Sequence, residues 1–130
     1  MLTKEQHITH WVKSAGDDLA TMDYLFVGGR YTHSLFFAHL YLEKICKALW
    51  VKKNPGNIPP FIHNLVKLSD EAGVPYSMEQ KSFMVVMNNF QLEGRYPDYL
   101  NSLSKLYKEK NTGEILGQVK NLGLWLQSQL

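Results

Sequence analysis

The sequence predicts an all-α protein, an up-and-down antiparallel bundle of five to six helices. Apolar residues recur at steps of three and four along most of the chain, which is the spacing of one face of an α-helix. Sustained alternation of apolar and polar residues and Asn-Gly hairpin turns, which mark β-strands, are absent from the sequence. Segments rich in glycine and proline divide the periodic stretches into separate helices.

Length and composition indicate one globular domain over residues 1–130. A hydrophobic content of 45% and a net charge of only +2 exclude intrinsic disorder. The longest apolar run falls far short of the roughly 18 residues of a membrane helix. Because the N-terminus is polar and lacks an apolar signal core, we expect a cytoplasmic protein. The single cysteine, Cys46, excludes an internal disulfide framework and a multi-cysteine zinc site.

Two long helices are predicted first. Thr3 followed by Gln6 fits a capping box, which starts a helix at Lys4, and Gly28-Gly29 ends that helix at Val27. The second helix is predicted from Tyr31 to Lys53. It is apolar on so many sides that we expect it to be central in the bundle or to face a partner.

Four shorter helices complete the prediction. The segment from Asn54 to Pro60 contains three prolines and a glycine, so it cannot continue a helix. The helices that follow are expected over about Ile62 to Ala72, from the cap Ser77 to Gly94, over about Tyr99 to Lys110, and from the cap Thr112 onward. The fourth helix is expected to bury an apolar stripe made of Phe83, Val86, Met87 and Phe90.

Short connections favour helices that alternate in direction, which sorts the helix ends into two poles. One pole is expected to hold the start of helix 1, the end of helix 2, the start of helix 3, the end of helix 4 and the start of helix 5. The candidate binding residues fall there: Lys47, His63, Arg95, Tyr96 and Asp98, with Lys52, Lys53, His7 and His10. Arg30 and His33 fall at the other pole.

Each candidate has a structural alternative. Arg95 either pairs with Asp98 to close a turn or presents its planar guanidinium to a phosphate. His63 either caps a helix or takes part in proton chemistry near neutral pH. His7 and His10 supply two metal ligands without an evident third, so no metal site is predicted. Cys46 lies in the middle of a helix and is expected to be a buried small hydrophobe.

Four motifs, in order along nearly the whole chain, resemble those of the HEPN family, the higher eukaryote and prokaryote nucleotide-binding domain. Residues Glu43 to Leu49 resemble its EKxxKAL core, and Gly29-Arg30-Tyr31 stands at the start of the same predicted helix. Residues Pro60 to Leu65 are similar to the family's P-x-x-H-x-L, and Arg95 to Asp98 are similar to its RYPD segment.

The resemblance implies a bundle of about five helices, usually dimeric. Many members accompany a minimal nucleotidyltransferase, often as toxin–antitoxin pairs. Other members are metal-independent RNases, in which an arginine is followed after four to six residues by a histidine. Arg95 matches that arginine, but the positions of the histidine hold Leu100, Asn101 and Ser102. The RNase motif is therefore absent.

These observations lead to a non-catalytic HEPN-type domain that binds a nucleotide or another phosphate-bearing ligand. The ligand-binding residues would be Lys47, His63, Arg95, Tyr96 and Asp98. We expect a homodimer that acts with a separate nucleotidyltransferase, because a chain of 130 residues holds only the bundle. No cofactor or metal is expected. The alternatives are a divergent metal-independent RNase that uses Arg95 with His63 or Asp98, and a purely structural dimerisation module.

Overall fold

The computed structural model describes residues 1–91 and 97–130, and it is 78% helical. No residue in these two ranges lies in a β-strand. Arg95 and Tyr96, two of the expected ligand-binding residues, lie outside them, as does Gly94. The elements are α1 (Lys4–Val27), α2 (Tyr31–Lys53), α3 (Leu65–Glu71), α4 (Met78–Met87), a short 3₁₀ turn (Asn88–Phe90), α5 (Pro97–Leu106) and α6 (Glu109–Ser128). The predicted all-α bundle is confirmed.

Helix α1 begins and ends where the sequence predicts, because both of its ends are capped locally. At the start, Thr3 and Gln6 form the expected capping box. At the other end Gly29 adopts φ +76°, and the Arg30 N–H donates to the Leu25 carbonyl at 2.8 Å. These contacts form a Schellman motif, and glycine occupies its left-handed position without strain. The turn leads directly into α2, with Arg30 as its N-cap residue.

Helix α2 lies at the centre of the bundle. It runs antiparallel to α1, since the Lys4 ammonium at the start of α1 donates to the Val51 carbonyl near the end of α2 at 2.7 Å. Halfway along the pair, the Lys44 ammonium lies 2.7 Å from the Asp18 carboxylate. Cys46 is fully buried, as predicted, and burial raises the pKa of its thiol to about 12.

Helix α3 departs from strict alternation, because it runs in the same direction as α2. The segment before it returns along α2, so that His63 contacts His39 and Glu43 in the middle of that helix. The end of α3 lies near the end of α2, where the Asn54 side chain donates to the Glu71 carbonyl at 3.1 Å. The expectation that helix 3 starts beside the end of helix 2 is wrong. The proline segment is rigid and extended, so it carries the chain back along α2 and does not form a tight turn at the end of that helix.

The start of α3 also differs from the prediction. The helix begins at Leu65 and not near Ile62, because Asn64 is the N-cap and its Oδ1 accepts the Val66 and Lys67 N–H groups at 3.0 and 3.2 Å. His63 therefore stands just outside the helix and does not cap it.

The fourth helix is shorter than predicted, and one residue of its expected apolar stripe, Val86, is exposed. It ends at Met87 and passes into the 3₁₀ turn, whose tighter winding changes the register of the following residues. Met87 is fully buried and Phe83 packs against the core, as predicted. Met84 is buried in place of Val86. Phe90, the last residue of the turn, is also buried as predicted, and its ring packs edge-on against Tyr107 with centroids 5.1 Å apart.

The boundary predicted from the sequence between the last two helices was also wrong. Helix α6 begins at Glu109, and Thr112 is a buried residue inside its first turn, not its N-cap. Lys108 is the N-cap residue, and Asn111 in the first turn satisfies the backbone on both sides of it: its Oδ1 accepts the Lys108 N–H at 2.7 Å and its Nδ2 donates to the Leu106 carbonyl at 2.7 Å. Among the described helices, none is long and apolar enough to cross a membrane.

Candidate functional site

Four polar side chains meet at the middle of α2. His39, Glu43 and Lys47 follow one another at intervals of four, which places them on one face of the helix. His63 reaches the same point from the segment before α3. We call these four residues the Glu43 cluster.

Glu43 is the centre of the cluster, and its side chain is only 5% exposed. Its Oε2 lies 3.0 Å from the Lys47 ammonium, and its Oε1 accepts a hydrogen bond from His63 Nδ1 at 2.8 Å. Each carboxylate oxygen thus has its own donor, which a buried charge requires. Glu43 and Lys47 are four residues apart in the sequence, a spacing that predicts an ion pair on a helix but not its burial.

Lys47 faces inward, although the sequence placed it among the ligand-binding residues. Its side chain is 8% exposed, and its ammonium lies 5.5 Å from the centre of the Trp11 ring on α1. Its positive charge neutralises Glu43. Lys47 is therefore not itself a surface group, and it can influence a ligand only through its contact with Glu43, which in turn binds His63.

His39 is a fully buried support for the cluster. Its Nε2–H donates to the His63 carbonyl at 2.9 Å, which holds the backbone of His63 against α2. Its Nδ1 is 3.7 Å from Glu43 Oε1. Burial lowers the pKa of His39 below 6.5, with Glu43 opposing that effect, so the ring is neutral at pH 7.

His63 is the exposed end of the cluster, with 42% of its side chain accessible. Two asparagine side chains, Asn64 and Asn88, fix the backbone next to His63 by hydrogen bonds. Asn88 Oδ1 accepts the Leu65 N–H at 3.0 Å, and Asn88 Nδ2 donates to Asn64 Oδ1 at 3.2 Å. The end of α4 is thereby attached to the start of α3.

The start of α5 joins the same region. The Tyr99 hydroxyl donates to the Asn89 carbonyl at 2.5 Å, one residue after Asn88. Asp98 precedes Tyr99 and is exposed in the first turn of α5. The start of helix 3, the end of helix 4 and the start of helix 5 therefore converge, as the sequence predicted.

This convergence lies at the middle of α2, and the lysines at the end of α2 are elsewhere. Lys52 donates to the Gln129 carbonyl at the end of α6, and Lys53 is exposed. The predicted grouping of these two lysines with His63 is wrong, because α3 runs parallel to α2. Sequence reasoning also missed Glu43 and His39 as members of the site, although their spacing with Lys47 was a usable signal.

Among the described residues, no group of three or more His, Cys, Asp or Glu side chains is placed to hold a metal ion. His7 and His10 line an open groove beside Trp11.

The fold and the cluster define an all-α bundle with a buried ion pair beneath a half-exposed histidine. The family model of the HEPN domain matches residues 8–129, nearly the whole chain, so the protein belongs to the HEPN family. Membership supports a nucleotide-related or RNase-like role. No curated protein and no solved structure matches the chain.

Proposed function

We propose that this protein is a non-catalytic HEPN domain that binds a nucleotide or another phosphate-bearing ligand at the surface above the Glu43 cluster. The observation that carries the proposal is the position of Glu43, which is buried between Lys47 and the half-exposed His63. His63 and Asp98 are the surface groups of this site. Arg95 and Tyr96 belong to it by their match to the RYPD segment of the family.

The charge balance of the cluster supports an anionic ligand. Lys47 cancels the charge of Glu43, so the buried pair presents no net negative charge to an anion beside His63. Glu43 holds the Nδ1 side of the ring, which turns Nε2 away from the carboxylate. Because Nδ1 holds the proton of the neutral ring, His63 would donate to a phosphate only as an imidazolium, and charge-assisted hydrogen bonds of this kind are the stronger ones.

The proposal also includes the partners that the family resemblance implies. The protein would act as a homodimer beside a separate nucleotidyltransferase, in a pair of the toxin–antitoxin kind. These partners rest on the family motifs of the sequence.

Calorimetric titration with ATP and GTP tests the ligand. We expect wild type to bind at least one of them, and we expect both His63→Ala and Arg95→Ala to weaken binding by about tenfold or more, the effect of losing one charge-assisted hydrogen bond. His10→Ala is the control, because His10 is exposed on α1 and outside the cluster. Absence of binding by wild type, or equal weakening in the control, would contradict the proposal.

One contact favours a second candidate, a divergent metal-independent RNase. The hydrogen bond of 2.8 Å between Glu43 and His63 Nδ1 is the arrangement in which a carboxylate orients an imidazole for proton transfer. His63 would move the proton of the 2′-hydroxyl, and Arg95 would stabilise the phosphate charge.

RNA cleavage in the presence of EDTA separates the two candidates. An enzyme would lose about 10²–10⁴-fold in rate in His63→Gln, the usual contribution of an acid–base group. His10→Gln would keep the wild-type rate. No cleavage by wild type, or cleavage that persists in His63→Gln, would reject the RNase and leave the binding function.

A further inference from the structure

A cavity of about 520 Å³ opens at the start of α2, away from the Glu43 cluster. It is lined by the turn before α2 and the first residues of α2, by α5, and by the link between α5 and α6. This volume lies within the roughly 300–1,000 Å³ of typical ligand sites. Its chemically informative lining residues are Arg30, Thr32, His33, Ser104 and Lys108.

Among the described residues that line this cavity, the charges are of one sign. Arg30 and Lys108 are cationic, and no described lining residue is acidic. Among the described residues, no carboxylate forms an ion pair with Arg30. The Lys108 ammonium donates to the Ser104 carbonyl at 2.9 Å, which uses one of its three N–H donors. Two cations therefore face the cavity without an anion from the described chain.

Neutral hydrogen-bond donors beside this cavity also lack a partner among the described residues. Arg30 caps α2 without a side-chain hydrogen bond, so the first amides of this helix of 23 residues lack a capping side chain. Thr32 is only 8% exposed, and its hydroxyl makes no hydrogen bond with another described residue. Helix N-termini and unpaired hydroxyls are both suited to phosphate oxygens.

We propose that this cavity is a second phosphate-binding site, which takes the phosphate group of a nucleotide or of an RNA strand. Arg30 would bind the phosphate, Lys108 would neutralise it, and Thr32 would donate a hydrogen bond. Thr32 and Glu43 are eleven positions apart on α2, which corresponds to about 16.5 Å along the helix axis. One phosphate cannot contact both places, so the inference is independent of the function proposed for the Glu43 cluster.

Amide NMR titration of the full chain tests the site, with inorganic phosphate and AMP as probes. We expect the signals of Tyr31, Thr32 and His33 to shift and to saturate. Arg30→Gln and Lys108→Gln should each raise the dissociation constant by about tenfold. Lys105→Gln is the matched control, because it removes the same charge from α5 at a residue outside the cavity lining and should change the constant by less than about twofold.

A short oligouridylate then distinguishes the two sources of phosphate. Binding much tighter than that of AMP, with the gain lost in Arg30→Gln, would assign the site to an RNA strand, and equal affinity would assign it to a mononucleotide. The inference is overturned if the α2 amides do not shift, or if Lys105→Gln weakens binding as much as Arg30→Gln. Shifts confined to His63 and Leu65 would also overturn it, while supporting the site at the Glu43 cluster.

Discussion

Replacement of Glu43 by glutamine is expected to lower the free energy of unfolding by about 3–5 kcal/mol, the usual effect of removing one partner from a buried ion pair. The amide would leave the Lys47 ammonium, which is 8% exposed, without an opposing charge. It would also face His63 Nδ1 with a weaker acceptor. Urea denaturation of Glu43→Gln against wild type measures the loss.

Two further variants show whether burial is the cause. Lys120 and Asp23 form an ion pair of similar length, 2.9 Å, but both side chains are about half-exposed. Asp23→Asn is therefore expected to cost less than about 1 kcal/mol. The double variant Glu43→Gln/Lys47→Met should recover much of the stability, because it removes the unpaired charge. Equal losses in Glu43→Gln and Asp23→Asn would contradict the buried network.

Gly123→Ala is expected to destabilise the protein by about 1–3 kcal/mol through overpacking. A Cβ at this position of α6 would overlap the phenol group of Tyr41 on α2. Tyr41 is buried, and its hydroxyl accepts a hydrogen bond from Gln127 Nε2 at 2.9 Å, so the rigid ring cannot move aside without losing that contact. Thermal and urea unfolding of the variant measure the effect.

Gly117→Ala supplies a control on the same helix. A Cβ at Gly117 meets no atom within 4 Å, and the position is helical. Alanine there should raise stability by about 0.5–1 kcal/mol, because glycine has the greater conformational entropy to lose. The two variants are therefore expected to have opposite signs. A gain in both would show that α2 and α6 pack less closely at Tyr41 than the structure indicates.

The ends of α1 and α2 could be predicted from the sequence because they depend on neighbouring residues. The capping box at Thr3 and Gln6 and the turn at Gly29 are complete within a few positions of the chain. The start of α6 was predicted wrongly, although it too depends on residues close together in the chain. Thr112 is a good N-cap by residue type, but the helix starts earlier, because the Asn111 side chain in its first turn binds both the Lys108 N–H and the Leu106 carbonyl at the end of α5.

The candidate site was predictable only in part. The spacing of Glu43 and Lys47 predicted an ion pair, and the order of the elements brought the starts of helices 3 and 5 together. Neither observation revealed that Glu43 is buried or that His63 binds it. Those facts depend on the direction of α3, which is set by the path of the proline segment.

Local periodicity, caps and motifs were thus sufficient for the all-α class, for the two long helices and for the resemblance that the family model confirmed. These properties depend on residues a few positions apart, whose interactions survive in any packing. The Glu43 cluster and the cavity at Arg30 were decided by tertiary structure. Each requires side chains from segments far apart in the chain, and only the packing of α3 and α5 against α2 brings them within contact.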